Sequence, residues 1–153
     1  MKTRTGDVWT AYRGDRRTMI LVPCNGYLAS NRRLVMGAGV AKQAKERFPG
    51  IERELAWAIK ACGTQEKPCL WRYGVANYTA GIAAFQSKLH WRDPSSLELI
   101  QFSLRRLQDW IELNPSLMFH TPVPGIGLGG LREDEVMPLL EALPDNVTVW
   151  RFL

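Results

Sequence analysis

The stretch TMILVPCNGYLASNRRLVMGAGVAKQAKERF, residues 18–48, decides the fold of this chain. It opens with an apolar run over residues 18–23, which predicts a buried strand, and Asn25-Gly26 then marks a turn. A glycine loop follows, and beyond it the apolar residues recur at helical spacing up to Phe48. A strand that passes through a glycine loop into an amphipathic helix is the unit from which α/β sheets are built.

The rest of the chain repeats this alternation of strands and helices. The pattern predicts strands over residues 69–73, 82–86, 117–121 and 147–152, and helices over residues 51–62, 95–113 and 136–143. Ser95 and Glu98 fit a capping box at the start of the longest helix. We therefore expect a three-layer α/β/α sandwich with a central mixed β-sheet, formed by residues 1–153 as a single domain. In such sheets ligands bind at the carboxyl ends of the strands.

Composition excludes several classes of protein. The chain has 153 residues, of which 46% are hydrophobic and 23% charged, so it can bury a core. It contains no apolar run near the roughly 20 residues that a membrane helix needs. Its three cysteines form no CxxC pair and their number is odd, which argues against a disulfide framework or a zinc finger. We expect a reduced, cytoplasmic setting, no membrane contact and no metal.

Positive charge is concentrated in the first third of the chain. The net charge is +5, and residues 1–50 contain ten basic and three acidic residues. Such a basic segment indicates an anionic partner, either a phosphate ligand or a nucleic acid. A solvated positive surface that only aids solubility is the alternative.

The first glycine loop follows the strand over residues 18–23 and precedes a helix. Its members are Met36, Gly37, Ala38, Gly39, Val40 and Ala41. A helix that begins near Gly39 would aim free N–H groups and a positive dipole end at an anion. The loop is not a Walker A motif, because the pattern GxxxxGK[ST] is absent. It is not the GxGxxG fingerprint either, because Lys42 occupies the place of the third glycine. A tight turn that packs the helix on the sheet is the alternative.

A second glycine loop follows the strand over residues 117–121. It consists of Gly125, Ile126, Gly127, Leu128, Gly129, Gly130 and Leu131. A backbone cradle around a diphosphate would use four glycines in six residues, whereas a plain turn would not. The interleaved apolar residues, Leu128 among them, predict burial rather than a flexible surface loop. Two such loops suggest one ligand with two phosphates lying between them.

Together these motifs resemble a macrodomain, the ADP-ribose-binding α/β/α module. The resemblance rests on four places: Gly6-Asp7-Val8, which looks like the opening of the first strand, Pro23-Cys24-Asn25-Gly26, the first loop running into Phe48-Pro49, and the second loop followed by Glu135-Val136. It spans nearly the whole chain. The chain is most similar to the branch that contains terminal-ADP-ribose glycohydrolases and the antitoxins that remove ADP-ribose from DNA.

A third stretch supports the same branch. The segment FQSKLHWRDPS, residues 85–95, resembles the branch's lysine motif, and this implies that Lys88 is the catalytic lysine and that Ser87 contacts the ligand. Lys88 would attack the ribose C1″ or polarise it, and an amine attacks only when it is deprotonated. The resemblance places Asn25 on the distal ribose, as a ligand-binding and catalytic residue. The alternatives are a surface lysine at a strand end and an Asx-turn asparagine.

Two positions depart from the family's pattern. Aligning the chain on Asn25 places Thr18, with Asp15 nearby, where many macrodomains carry an aspartate that holds the adenine amine. The aspartate that terminal-ADP-ribose hydrolases carry in the second loop is absent from residues 127–130, and the acidic residues 133–135 follow only later. The Gly-Gly form at this place favours the DNA-directed branch.

Three functions remain open at this level. The first is hydrolysis of an ADP-ribosyl bond on nucleic acid, protein or nucleotide, and the second is non-catalytic binding of ADP-ribose or a signalling nucleotide. The third is binding of nucleic acid through Arg4, Arg13, Arg16, Arg17, Arg32 and Arg33. The expected partners are ADP-ribose or an ADP-ribosylated substrate, with DNA or RNA in addition. The resemblance implies no cofactor, and we expect a monomer.

Overall fold

The computed structural model describes residues 1–78 and 81–152. The strands in this part of the chain are β1 (Lys2–Thr5), β2 (Thr18–Cys24), β3 (Thr64–Lys67), β4 (Leu70–Arg72), β5 (Val75–Tyr78), β6 (Ile82–Gln86), β7 (Met118–Pro122) and β8 (Val147–Arg151). The helices are α1 (Gly39–Arg47), α2 (Ile51–Cys62), α3 (Leu97–Leu113) and α4 (Glu133–Leu140).

The central sheet is mixed. Its strand order is β1-β8-β7-β2-β6-β5, and each neighbouring pair is parallel except β5 with β6. Strands β3 and β4 form a separate antiparallel ribbon. The ribbon is attached to the chain after β2, where Trp71 N–H donates to Gly26 O (2.8 Å) and Leu28 N–H donates to Cys69 O (2.8 Å).

Helices cover both faces of this sheet, as the alternation along β2 shows. Ile20 and Val22 pack into the cluster that contains α1 and α2, while Met19 and Leu21 pack into the cluster that contains α3 and α4. The expected three-layer α/β/α sandwich with a mixed sheet is confirmed.

Parallel pairing determines where the loops lie. Because β2, β6 and β7 run in the same direction, the segments that follow them meet at one edge of the sheet, here called the carboxyl edge. The segments that precede these strands lie at the opposite, amino edge. Both glycine loops and Lys88 follow strands, so they share the carboxyl edge.

Two local predictions were wrong. The N-cap of α3 is Ser96, whose hydroxyl accepts from Leu99 N–H (3.2 Å), and not Ser95. Ser95 is buried, and its N–H donates instead to Gly129 O (2.7 Å). Contrary to expectation, the first strand does not open at Gly6-Asp7-Val8: β1 ends at Thr5, and Val8 begins a 3-10 turn. The four residues of β1 are all exposed and give no apolar alternation that would have predicted them. Within residues 1–78 and 81–152, no helix has the length and apolar character needed to cross a membrane.

Candidate functional site

Three loops meet at the carboxyl edge: the loop after β2, the loop after β6 and the second glycine loop. The loop after β6 is hydrogen-bonded to both of the others. Ser87 N–H, just after β6, donates to Cys24 O at the end of β2 (2.9 Å). Gly26 N–H donates to Leu89 O (2.8 Å), and Ser95 N–H reaches the second glycine loop at Gly129. The structure therefore brings Asn25, Lys88 and the second loop to one edge of the sheet. This agrees with the expectation that ligand-binding loops lie at the carboxyl ends of the strands.

Asn25 holds the start of the first glycine loop. Its side chain is buried, its Oδ1 accepts from Tyr27 N–H (2.9 Å) and its Nδ2 donates to Val35 O (2.9 Å). Its own carbonyl accepts from the Tyr73 hydroxyl (2.8 Å). The Asx turn is thus present, and one amide hydrogen and one lone pair are left for a ligand.

Lys88 lies half-buried on the loop that follows β6. Its carbonyl accepts from Nε2 of the buried Gln86 (3.3 Å), whose Oε1 also accepts from Tyr73 N–H (2.9 Å). This amide fixes the backbone from which the lysine side chain extends. The ion pairs found in residues 1–78 and 81–152 do not include Lys88. Ser87 is buried, and its N–H is used within the fold.

The first glycine loop ends at an uncapped helix. Met36 is buried and anchors the loop, while Gly37, Ala38 and Gly39 are exposed. Ala38 is the N-cap of α1 and supplies no side-chain acceptor, so the first N–H groups of the helix are open to a ligand. These groups and the helix dipole attract an anion.

The second glycine loop forms a 3-10 turn, Gly127–Gly129, closed by Gly130 N–H on Gly127 O (3.0 Å). Gly127 has φ +68°, and a Cβ there would have no heavy atom within 4 Å. A Cβ on Gly129 would lie 2.4 Å from Ser95 Oγ, so a side chain at that position would have to displace the buried Ser95 hydroxyl. The expected burial of Leu128 is wrong: its side chain is 82% exposed, because the turn carries it to the tip of the loop.

The acids that follow this loop are engaged at the start of α4. Glu133 pairs with Arg151, and Arg132 pairs with Asp134 (3.0 Å) and Glu135 (3.3 Å). They stabilise the first turn of the helix, where negative charge is favourable. The sequence could not assign these acids, and the structure gives them partners outside the glycine turn.

The adenine position inferred by aligning on Asn25 does not fit the fold. Thr18 is the first residue of β2 and lies about 20 Å from the strand's carboxyl end. Asp15 lies at the same amino edge, and its Oδ1 accepts from Arg17 N–H and Thr18 N–H (both 2.9 Å). Asp7, which directly follows β1 and Gly6, is an exposed carboxylate at the carboxyl edge. The Gly-Asp-Val signal was present in the sequence, but it was interpreted only as part of a strand opening.

The nearby thiol and phenol are structural groups. Burial raises the pKa of the Cys24 thiol to about 12, so it is protonated and a poor nucleophile at neutral pH. Burial, followed by the proximity of Cys24 and Cys62, raises the pKa of Tyr73 well above its usual value. The Tyr73 hydroxyl remains a donor to Asn25.

A cavity of about 1010 Å³ lies away from these loops, along the second half of α3 and the segment before β8. Its walls include Asp109, Glu112 and Asp145 beside Arg105 and Arg106. This mixed charge does not favour a diphosphate. We therefore place the candidate site at the carboxyl edge, where backbone donors are exposed.

Comparisons with known proteins show which chains this one is similar to. No protein-family model matches the chain. A DNA ADP-ribosyl glycohydrolase from Thermus aquaticus is 36% identical over 124 residues, which cover 76% of this chain and 33% of that protein. The chain therefore spans about a third of the length of this curated relative.

Solved structures give the same result. The macrodomain of Thermus aquaticus DarG has a TM-score of 0.66 and 25% identity, covering 99% of this chain and 97% of that one. The macrodomain of Mycobacterium tuberculosis DarG has a TM-score of 0.60 and 25% identity, covering 97% and 96%. Thermosipho africanus DarTG in complex with ADP-ribose has a TM-score of 0.68 and 23% identity, covering 95% and 40%.

Fold, loop arrangement and relatives together define the class: the chain belongs to the macrodomains. Within that family it is similar to the macrodomains of DarG proteins. The resemblance read from the glycine loops and from residues 85–95 is confirmed.

Proposed function

We propose that this chain binds ADP-ribose at the carboxyl edge and hydrolyses an ADP-ribosyl bond on DNA. The observation that carries the proposal is the position of the loop after β6. This loop bears Lys88 and is hydrogen-bonded to both the loop after β2 and the second glycine loop. The curated relative is named as a DNA ADP-ribosyl glycohydrolase, which supports the reaction type.

The diphosphate lies between the two glycine loops. The uncapped N-terminus of α1 supplies N–H donors and a positive dipole end, and the open turn at Gly127 lets a phosphate approach the backbone closely. Both loops lack basic side chains at residues 36–41 and 125–131, so backbone dipoles provide the attraction.

The two ends of the ligand meet polar groups already present at this edge. Trp9 Nε1 donates to Gln43 Oε1 (2.8 Å), and this bond holds the segment that follows Asp7 against α1. The Asp7 carboxylate is exposed and suits the exocyclic amine of adenine. The remaining N–H of Asn25 suits a hydroxyl of the distal ribose.

Lys88 acts at C1″ of that ribose. As a nucleophile, its amine forms a bond to C1″ while the C1″–base bond breaks and its electron pair goes to the base, which takes up a proton. Opening of the ribose ring and loss of a proton from nitrogen give an imine, which water hydrolyses to ADP-ribose and the free amine. Alternatively, the ammonium polarises the centre and water attacks directly.

Release of ADP-ribose from an ADP-ribosylated single-stranded oligonucleotide tests the proposal, together with calorimetry of ADP-ribose against AMP and NAD. We expect turnover and a clear preference for ADP-ribose. Absence of ADP-ribose binding, or equal affinity for AMP, contradicts the ligand assignment. Borohydride reduction during turnover separates the two routes, because only an imine leaves ADP-ribose attached to Lys88.

Non-catalytic ADP-ribose binding is the second candidate. The observation that favours it is the pairing of Glu133, Asp134 and Glu135 with arginines, which leaves these three acids engaged outside the glycine turn. ADP-ribose binding without turnover of any DNA- or protein-linked substrate would select this function.

A further inference from the structure

Four side chains cluster where the loops after β2 and β6 meet: Tyr27, His90, Trp91 and Arg92, here called the aromatic rim. The rings of Tyr27 and His90 meet edge to face with centroids 4.8 Å apart. His90 and Trp91 lie 5.5 Å apart, with their planes inclined by only 31°. The Arg92 guanidinium lies 4.6 Å from the centre of the Trp91 ring.

Backbone hydrogen bonds hold the aromatic rim in place. His90 Nδ1 accepts from Arg92 N–H (3.0 Å), and His90 O accepts from Asp93 N–H (3.0 Å). Tyr27 N–H is fixed by the Asn25 side chain. The rings are therefore arranged before any ligand arrives, which lowers the entropic cost of binding to them.

Trp91 does not serve the core. Its side chain is 40% exposed, whereas Trp9 and Trp150 are buried at 5% and 7% exposure within the hydrophobic clusters. An exposed indole stacked with a guanidinium next to the loop of Lys88 is a surface suited to a flat, polarisable ligand.

We propose that the aromatic rim stacks the nucleobase that carries the ADP-ribosyl bond, and that Trp91 in this way holds the base beside the loop of Lys88. This inference rests on the proposed function, because that base is attached to C1″, the atom on which Lys88 acts. Lys88 lies two residues before His90, so the base bonded to C1″ enters the neighbourhood of the rim.

The surrounding charge fits a nucleic acid strand. Arg92 belongs to the rim, and Arg32 and Arg33 are exposed on the hairpin that follows Tyr27. Guanidinium groups bind the phosphates that flank a stacked base. An ADP-ribosylated aspartate, glutamate or serine side chain has no ring and gains nothing from stacking, so protein substrates make no use of the rim.

Steady-state kinetics of Trp91→Ala on an ADP-ribosylated single-stranded oligonucleotide tests the inference. We expect KM to rise by about 10- to 100-fold, since stacking on an aromatic side chain is worth that much per base. Calorimetric affinity for free ADP-ribose stays within twofold of wild type. Trp91→Phe keeps a ring and recovers most of the loss.

The matched control is Trp57→Ala. Trp57 is 77% exposed on α2, outside the aromatic rim, and its removal leaves the oligonucleotide KM unchanged. Unaltered kinetics in Trp91→Ala overturn the inference, as does an equal loss of affinity for free ADP-ribose. Turnover of an ADP-ribosylated protein that falls in parallel also contradicts it.

Fluorescence gives a readout that does not need turnover. Titration with an unmodified single-stranded oligonucleotide quenches tryptophan emission in wild type and in Trp57→Phe, and the quenching is lost in Trp91→Phe. Quenching that persists in Trp91→Phe would show that the base does not stack on Trp91, and this would overturn the inference. If wild type neither binds ADP-ribose nor releases it from DNA, the proposed function fails instead, and the titration still decides the base-stacking surface.

Discussion

The two edges of the sheet differ in how their polar groups are used. At the amino edge, Arg13 Nη1 donates to Thr10 O (3.0 Å) and Tyr12 O (3.2 Å), and the Asp15 carboxylate accepts two backbone N–H groups. At the carboxyl edge, α1 starts without a side-chain cap and the turn at Gly127 is open. Arg13 and Asp15 therefore use their polar atoms within the fold at the first edge, whereas open backbone donors define the second.

This difference divides the basic third of the chain. Arg13, Arg16 and Arg17 precede β2 and lie at the amino edge, while Arg32 and Arg33 lie on the loop that follows it. A single arginine surface, as the sequence alone suggested, is therefore not formed. Only the second group lies at the edge that carries Lys88.

The largest expected effect comes from Lys88→Ala at the carboxyl edge. Turnover of ADP-ribosylated DNA falls by about 10³-fold or more, since a catalytic group contributes on that scale. ADP-ribose affinity changes little because the diphosphate contacts remain. Lys60→Ala, an exposed lysine on α2, is the control and retains full rate. Full turnover in Lys88→Ala would show that the lysine has no catalytic role.

The next effect compares Gly127→Glu with Gly14→Glu. Both glycines have φ +68°, so both variants carry about 1–2 kcal/mol of backbone strain. Only Gly127→Glu brings a carboxylate to the diphosphate, and like-charge repulsion lowers ADP-ribose affinity by about 100-fold. Calorimetry and denaturant unfolding of the two variants separate affinity from stability. Equal ADP-ribose binding by both variants would place the diphosphate elsewhere.

A smaller effect separates the two groups of arginines. Replacing Arg32 and Arg33 by alanine weakens binding of an unmodified single-stranded oligonucleotide by about 10-fold and lowers the salt slope of log K by about 1.4. The pair Arg16 and Arg17 is the matched control and leaves the slope unchanged. The measurement is a series of binding isotherms at increasing salt concentration. A salt slope that changes only when Arg16 and Arg17 are replaced would show that the oligonucleotide binds at the amino edge instead.

The smallest effect concerns His120, which lines a pocket of about 200 Å³ near the amino ends of β2 and β7. Burial, followed by Arg4 and Arg13, lowers the pKa of His120 below its usual 6.5. The unfolded chain therefore takes up the proton more readily, and stability present above pH 6.5 is lost as the pH falls below that value. Protonation also removes the acceptor for Trp150 Nε1 (3.0 Å).

Denaturant unfolding between pH 7.5 and 5.5 measures this loss. The pH dependence shrinks in His120→Gln and persists in His90→Gln, whose imidazole lies at the carboxyl edge. A wild-type stability that rises as the pH falls would contradict the assigned direction.

Sequence patterns located the buried elements well and the exposed ones poorly. Strands β2 and β6 are continuous buried runs and helix α2 is apolar at helical spacing, so their positions agree with the prediction. Strand β1 has four exposed residues and is held by backbone pairing with β8, which leaves no trace in the side-chain pattern.

The candidate site shows the same limit. The alternation of strands and helices predicted that ligand-binding loops would lie at the carboxyl ends of the strands, and both glycine loops and Lys88 do follow strands that end at one edge. The pattern could not show that Ser95 packs under Gly129 instead of capping a helix, or that the acids after the second loop find arginine partners. These outcomes depend on contacts between segments distant in sequence.

The pairing of β2 also makes the centre of the sheet depend on contacts between segments distant in sequence. Its neighbours are β6 and β7, and the register joins Ile20 to Ile82 and to His120. About a hundred residues separate β2 from β7 in the sequence, and such long-range parallel pairing is slow. The second glycine loop follows β7, so its place beside the loops after β2 and β6 depends on this long-range pairing. ADP-ribose that binds only the finished cradle would favour the completed fold by mass action.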